Sequence, residues 1–158
     1  MAAAAASLLG CGSGHGSARD SVLPLAVAPH VTVGVRQVDG LGDVLVDGQG
    51  RTLYMFAPDA GRGVTCTGPC PGTWPPLVIA TAHATRAGAG VIAAEFGTVA
   101  DPNTGARVVT YAGYPLYRYA GDVTARTADG QALFLNGGPW YVLDPDGQPV
   151  TINPWTHP

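Results

Sequence analysis

Two short stretches decide how this chain folds: Leu53-Tyr54-Met55-Phe56-Ala57-Pro58-Asp59 and Leu116-Tyr117-Arg118-Tyr119-Ala120-Gly121-Asp122. Side chains alternate between the two faces of a strand. Tyr54 and Phe56 therefore share one face, with Leu53 and Met55 on the other, and Tyr117 and Tyr119 fall together in the same way. Each run ends on an Asp in a turn-prone tripeptide, Ala-Pro-Asp or Ala-Gly-Asp. The likeness extends outward. Laying Leu45-Val46 over Val108-Val109 sets Gly50 over Gly113 and Leu53 over Leu116, and brings Trp74 and Trp140 to nearly equivalent places in Pro-flanked runs. Such self-similarity marks an internal repeat. Repeat 1 spans about residues 41–80 and repeat 2 about residues 95–150.

The rest of the segment 31–150 reads as short β-prone runs between strong turn signals. VTVGVRQV, beginning at Val31, places Val31, Val33 and Val35 on one face. DVLV and RTLYMF flank a hairpin turn at Asp47-Gly48-Gln49-Gly50. EFGTVA and ARVVTY flank another at Asp101-Pro102-Asn103-Thr104-Gly105. Ala112-Gly113 turns Tyr111 back toward Tyr114, and Asp144-Pro145-Asp146-Gly147 ends the run Trp140–Leu143. No long stretch keeps a helical apolar period; a short helix within the Ala-rich segment 80–94 is the one helical expectation. The fold class expected is all-β: an antiparallel, hairpin-rich domain of two pseudo-symmetric repeats, followed by a C-terminal tail at 151–158.

Composition limits the function. The 158 residues are 46% hydrophobic but only 12% charged, with 23 glycines and 14 prolines. The eight basic residues are all Arg, and the net charge is -3. That balance argues against a nucleic-acid partner. No apolar run is long enough for a membrane-spanning helix.

The amino terminus reads MAAAAASLLGC. Leu8-Leu9-Gly10-Cys11 resembles a bacterial lipoprotein signal box, with Leu three residues before Cys and a small residue directly before it. The resemblance implies that residues 1–10 are the remnant of a signal segment and that the Cys11 thiol is acylated. Residues 11–30, containing the Gly/Ser-rich run GSGHGSAR, then form a flexible tether. With Cys11 acylated, Cys66 and Cys70 in CTGPC remain as one pair, which outside the cytoplasm is expected to oxidise.

The motifs also resemble those of a known family. LYMFAPD and LYRYAGD each match Tyr-x-(Phe/Trp/Tyr)-x-x-Asp, the signature of bacterial secreted-repeat lipoproteins. Cys66-x-Gly68-x-Cys70 followed by Trp74-Pro75-Pro76-Leu77, the segment Gly113-Tyr114-Pro115-Leu116-Tyr117, and the late Gly137-Gly138-Pro139-Trp140-Tyr141 are similar to that family in consistent order. The resemblance implies a lipid-anchored protein on the extracytoplasmic face of the membrane, or a secreted one. The family carries no established activity.

Three residue constellations suggest chemistry. Asp59 and Asp122 read either as acceptors for turn amides or a Tyr of the other repeat, or as metal or substrate ligands; the structural role is expected because each repeat offers one carboxylate there. The spacing C-x-x-x-C-P also occurs in copper chaperones of oxidase assembly. Soft thiolates at Cys66 and Cys70, with His83 and Met55, would suit Cu(I), which makes a copper-binding or thiol-redox protein the alternative reading. A disulfide and no cofactor is the main expectation. Trp74 and Trp140, with Tyr111, Tyr114, Tyr117 and Tyr119, read either as core rings, the main expectation in a chain poor in large aliphatics, or as candidate ligand-contact rings for a cell-wall glycan or an envelope protein. There is no G-x-S-x-G element, and His83 is the only His well inside the domain, so no enzymatic activity is expected.

Overall fold

The turn residues cut the chain into short strands, ten of them among the described residues. The structure, a computed structural model, describes residues 30–155; the segments 1–10 and 11–29, with Cys11, lie outside them. β1 (Val31–Val38) and β2 (Gly42–Asp47) form an antiparallel hairpin in which Val33 faces Asp47 and Val38 faces Gly42. At the expected turn the Asp47 carboxylate accepts the backbone N–H groups of Gln49 and Arg51, and the chain returns into β3 (Tyr54–Phe56). A 3-10 turn at Ala57–Asp59 and a four-residue helix α1 (Cys70–Thr73) lead to β4 (Val78–Ile79).

Between the repeats the expected short helix is not formed. Residues 85–87 are instead strand β5 (Thr85–Ala87), which pairs in parallel with β1 through Val31 and Thr85. Only a 3-10 turn at Ala93–Glu95 is helical there. The cause is local: Gly88 lies against the β1 backbone, where a Cβ would sit 3.0 Å from the Val33 carbonyl oxygen. Gly90 has φ +81°, outside the helical region. The β1–β5 pair is an exception in an otherwise antiparallel domain.

Repeat 2 opens with the hairpin of β6 (Phe96–Ala100) and β7 (Arg107–Tyr111) around the Asp101 turn. Ala112 and Gly113, with φ of 48° and 82°, return β7 to β8 (Tyr114–Pro115), the turn that two adjacent left-handed residues make. Later come β9 (Phe134–Leu135) and β10 (Gly138–Val142), joined through Asn136 and Gly137 at φ 56° and 88°.

The repeats exchange their last strands. β4 ends repeat 1 yet pairs with β7 of repeat 2, Val78 opposite Val108. β10 ends repeat 2 yet pairs with β3 of repeat 1, Trp140 opposite Phe56 and Val142 opposite Tyr54. The flanking bonds match: the Leu45 N–H donates to the Leu143 carbonyl at 3.0 Å, and the Val109 N–H to the Leu77 carbonyl at 2.8 Å. Tyr54 and Tyr117 donate their N–H groups to each other's carbonyls at 2.8 and 2.9 Å, so a pseudo-two-fold axis passes between them. The structural counterpart of Leu45 is Val109 rather than Val108. Leu53 bonds back to Leu45 and Leu116 to Val109, because the Asp47 turn is one residue longer than the Ala112-Gly113 turn.

Two buried clusters sit on opposite faces of this exchanged layer. Tyr54, Phe56, Trp74, Tyr117, Trp140 and the two cysteines form one. Leu53, Met55, Leu77, Val109, Leu116 and Leu143 are in the other. The alternation of the motif strand therefore feeds both cores at once, which is why Leu53 through Phe56 are all buried.

Candidate functional site: the crossed tyrosine–aspartate motif and its surroundings

Strand β3 carries Tyr54 into the first cluster, and the 3-10 turn after it brings Asp59 to the end of the same layer. The equivalent segment of repeat 2 does the same for Tyr117 and Asp122. The axis then crosses the partners. The Tyr54 hydroxyl donates to Asp122 Oδ2 at 2.7 Å, and the Tyr117 hydroxyl donates to Asp59 Oδ2 at 2.5 Å. Each second carboxylate oxygen serves its own loop. Asp59 Oδ1 accepts the backbone N–H of Thr65 at 2.7 Å and its hydroxyl at 2.6 Å; Asp122 Oδ1 accepts the Asp129 N–H at 2.8 Å. Both Asp residues are buried, Asp59 fully.

Burial pushes both carboxyls up from the usual range, against the pull of their hydrogen-bond donors. Burial, reinforced by Asp122, holds the Tyr54 hydroxyl far above the ordinary tyrosine value; burial and Asp59 do the same for Tyr117. Donor and acceptor are thus matched inside the protein, and both Asp side chains act as structural acceptors.

The rings form one continuous stack through the axis. Trp74 and Trp140 lie parallel with centroids 3.9 Å apart. Phe56 stacks on Trp140 with centroids 4.2 Å apart, and Tyr119 lies against Trp74 at 4.5 Å, tilted by 33°. Tyr54 and Tyr117 meet the two indoles edge-on. The alternative of Trp74 and Trp140 as ligand-contact rings is not met, and both are core rings. Both are completely buried with an aromatic ring against each side, so the layer at the pseudo-two-fold axis is filled by ring surface.

Cys66 and Cys70 are joined in a disulfide with Cα atoms 5.3 Å apart, and both are buried. The residues considered for copper are not gathered: the cysteines belong to the first cluster, Met55 is buried in the second, and His83 is exposed in the segment before β5. Among the described residues no group of three or more His, Cys, Asp or Glu is arranged to hold a metal ion.

Sequence reasoning missed two features. Gln131 is buried and pins the carboxy-terminal segment, its Nε2 donating to the carbonyls of Val150 at 2.6 Å and Ile152 at 2.7 Å while its Oε1 accepts the Val142 N–H. The second is Trp155, 53% exposed beside Arg36 and Arg126. No periodicity marks these residues; they come together only through the fold.

The chain matches one protein family twice, over residues 36–78 and 98–144; the first match ends within the exchanged strand β4 and the second just after β10. No curated protein and no solved structure matches it. No helix among the described residues is long and apolar enough to cross a membrane. With two matches that together cover more than half of its length and two structurally equivalent repeats, the chain belongs to the family of secreted repeats of unknown function.

Proposed function

We propose that the protein is a lipid-anchored module of the bacterial cell envelope, acylated at Cys11, whose two-repeat domain binds an envelope polymer or protein and catalyses no reaction. The observation that carries the reading is the closure of the repeat motif on itself. The polar groups of Tyr54, Asp59, Tyr117 and Asp122 bond to one another and to their own loops inside the core. A motif arranged in this way is a scaffold, and a scaffold repeated in a secreted family supports binding at its surface. The Leu8-Leu9-Gly10-Cys11 sequence and the buried Cys66–Cys70 disulfide both suit an oxidising, extracytoplasmic setting.

Metabolic labelling with a palmitate analogue tests the anchor. The wild type, produced in a bacterial host, is expected to incorporate label, and Cys11→Ala to incorporate none. Equal labelling of the two, or none in either, overturns the anchor.

A further inference from the structure

A cleft of about 630 Å³ opens where the end of β1, the loop after Asp122 and the carboxy-terminal segment meet, lined by Arg36, Gln37, Val38, Asp39, Arg126 and Trp155. We infer that this cleft binds an anionic sugar, with the ring on Trp155 and its carboxylate or phosphate between Arg36 and Arg126. The inference deepens the envelope-binding reading and names the chemistry of the ligand.

Each part of the cleft is held in place by the fold. Arg36 projects from β1, and its Nη2 donates to Thr52 Oγ1 at 2.9 Å; that hydroxyl donates in turn to the Thr127 carbonyl at 2.6 Å. The guanidinium is thereby tied to the loop that carries Arg126. Its Nε is buried and has no partner among the described residues. Arg36 and Arg126 line the same cleft; burial, and after it the charge of Arg126, lowers the pKa of Arg36 against the pull of Asp122.

The only ion pairs among the described residues join Arg51 and Arg118 to Asp47, so neither cleft arginine is neutralised by one. Two carboxylates lie close. Asp122 is buried and already engaged by Tyr54 and Asp129, and Asp39 is exposed at the rim. With a net charge of -3, the molecule as a whole does not attract anions, so an anion must be held by the local arrangement. Two guanidiniums supply that arrangement.

Trp155 adds the second half of the recognition. Of the three tryptophans, Trp74 and Trp140 are buried and stacked, while Trp155 is exposed. The segment that carries it is fixed by Gln131 and by Pro154, which closes over Gly40 so tightly that a Cβ there would lie 2.8 Å away. An exposed flat ring beside paired cations fits a sugar ring that bears an anion.

Calorimetric titration of the purified full-length chain tests this, with trigalacturonate, glucose 1-phosphate, maltotriose, triglutamate and inorganic phosphate as separate probes. At least one anionic sugar is expected to bind saturably and to change the fluorescence of Trp155, and the arm that responds tells carboxylate from phosphate. Arg126→Gln and Trp155→Ala, both at exposed positions, are each expected to weaken that binding about tenfold without changing the melting temperature. The inference is overturned if neither anionic sugar binds, if both variants bind like the wild type, or if maltotriose, triglutamate or phosphate binds as tightly. The assay needs no acylation, so a failed anchor at Cys11 and a failed binding site give separate results.

Discussion

After Asp59, repeat 1 runs through Thr65 into the Cys66–Cys70 disulfide; after Asp122, repeat 2 runs through Asp129 into buried Gln131 and the Asn136-Gly137 hairpin. The loops start from equivalent carboxylates and end at stacked tryptophans, yet one is closed by a covalent bond and the other by hydrogen bonds. Even the indoles differ: Trp140 Nε1 donates to the Leu135 carbonyl at 3.1 Å, whereas Trp74 Nε1 is buried without a partner among the described residues. The comparison separates what the symmetric core needs from what each loop needs. The core needs crossed Tyr–Asp bonds and the packed rings of Phe56, Trp140, Trp74 and Tyr119. Each loop needs only some clamp that returns the chain to its Trp.

The sharpest way to test the difference is to remove the carboxylates. Asp59 satisfies three donors and is fully buried, whereas Asp122 satisfies two and is slightly exposed. Asp59→Ala is expected to destabilise the domain by about 3–4 kcal/mol and Asp122→Ala by about 2–3 kcal/mol, each from stranded buried donors. The corresponding Asn variants keep one oxygen acceptor and should lose less. Urea melts give all four values, and equal losses at the two sites would erase the distinction.

Breaking the covalent clamp comes next. The bridge closes a very short loop, so replacing Cys66 and Cys70 together by Ala should cost about 2 kcal/mol by loop entropy. In the native protein the buried pair should react with a thiol reagent after mild reductant only when denaturant is added. Ready reduction under native conditions, followed by copper binding, would instead favour the redox alternative.

The smallest effect is on pH dependence. Free tyrosine ionises at about pH 10, and Tyr54 and Tyr117 are held well above that by burial and their Asp partners. Above this pH the unfolded chain has released protons that the folded chain keeps, so stability falls as pH rises. Melting temperatures measured from pH 8 to 11 should fall at the alkaline end, and Tyr54→Phe should make the fall shallower. An unchanged slope would mean that the Tyr54 hydroxyl ionises in the fold as it does in water.

Much of this architecture is legible in the sequence because it is local. Asp47-Gly48-Gln49-Gly50, Asp101–Gly105 and Ala112-Gly113 name their turns, and alternation sorts Leu53 and Met55 from Tyr54 and Phe56. Asn136-Gly137 is an equally plain hairpin signal, although β9 is only two residues long and β10 opens on Gly138-Pro139. The exchange of β4 and β10 leaves no local trace, since a strand looks the same whichever hairpin it joins. The burial of Trp74 and Trp140 follows from that exchange, and the cleft with Arg36, Arg126 and Trp155 gathers residues from distant parts of the chain. Such features depend on tertiary contacts that neither periodicity nor turn chemistry encodes.

The crossing of the motif between repeats is most directly tested by two double-mutant cycles measured by urea unfolding. One combines Tyr54→Phe with Asp122→Asn, and the other combines Tyr54→Phe with Asp59→Asn. The first pair is hydrogen-bonded across the axis and should show a coupling of about 1 kcal/mol or more. The second pair belongs to one repeat and does not touch through these groups, so its effects should add. Coupling within the repeat and additivity across it would contradict the crossed arrangement.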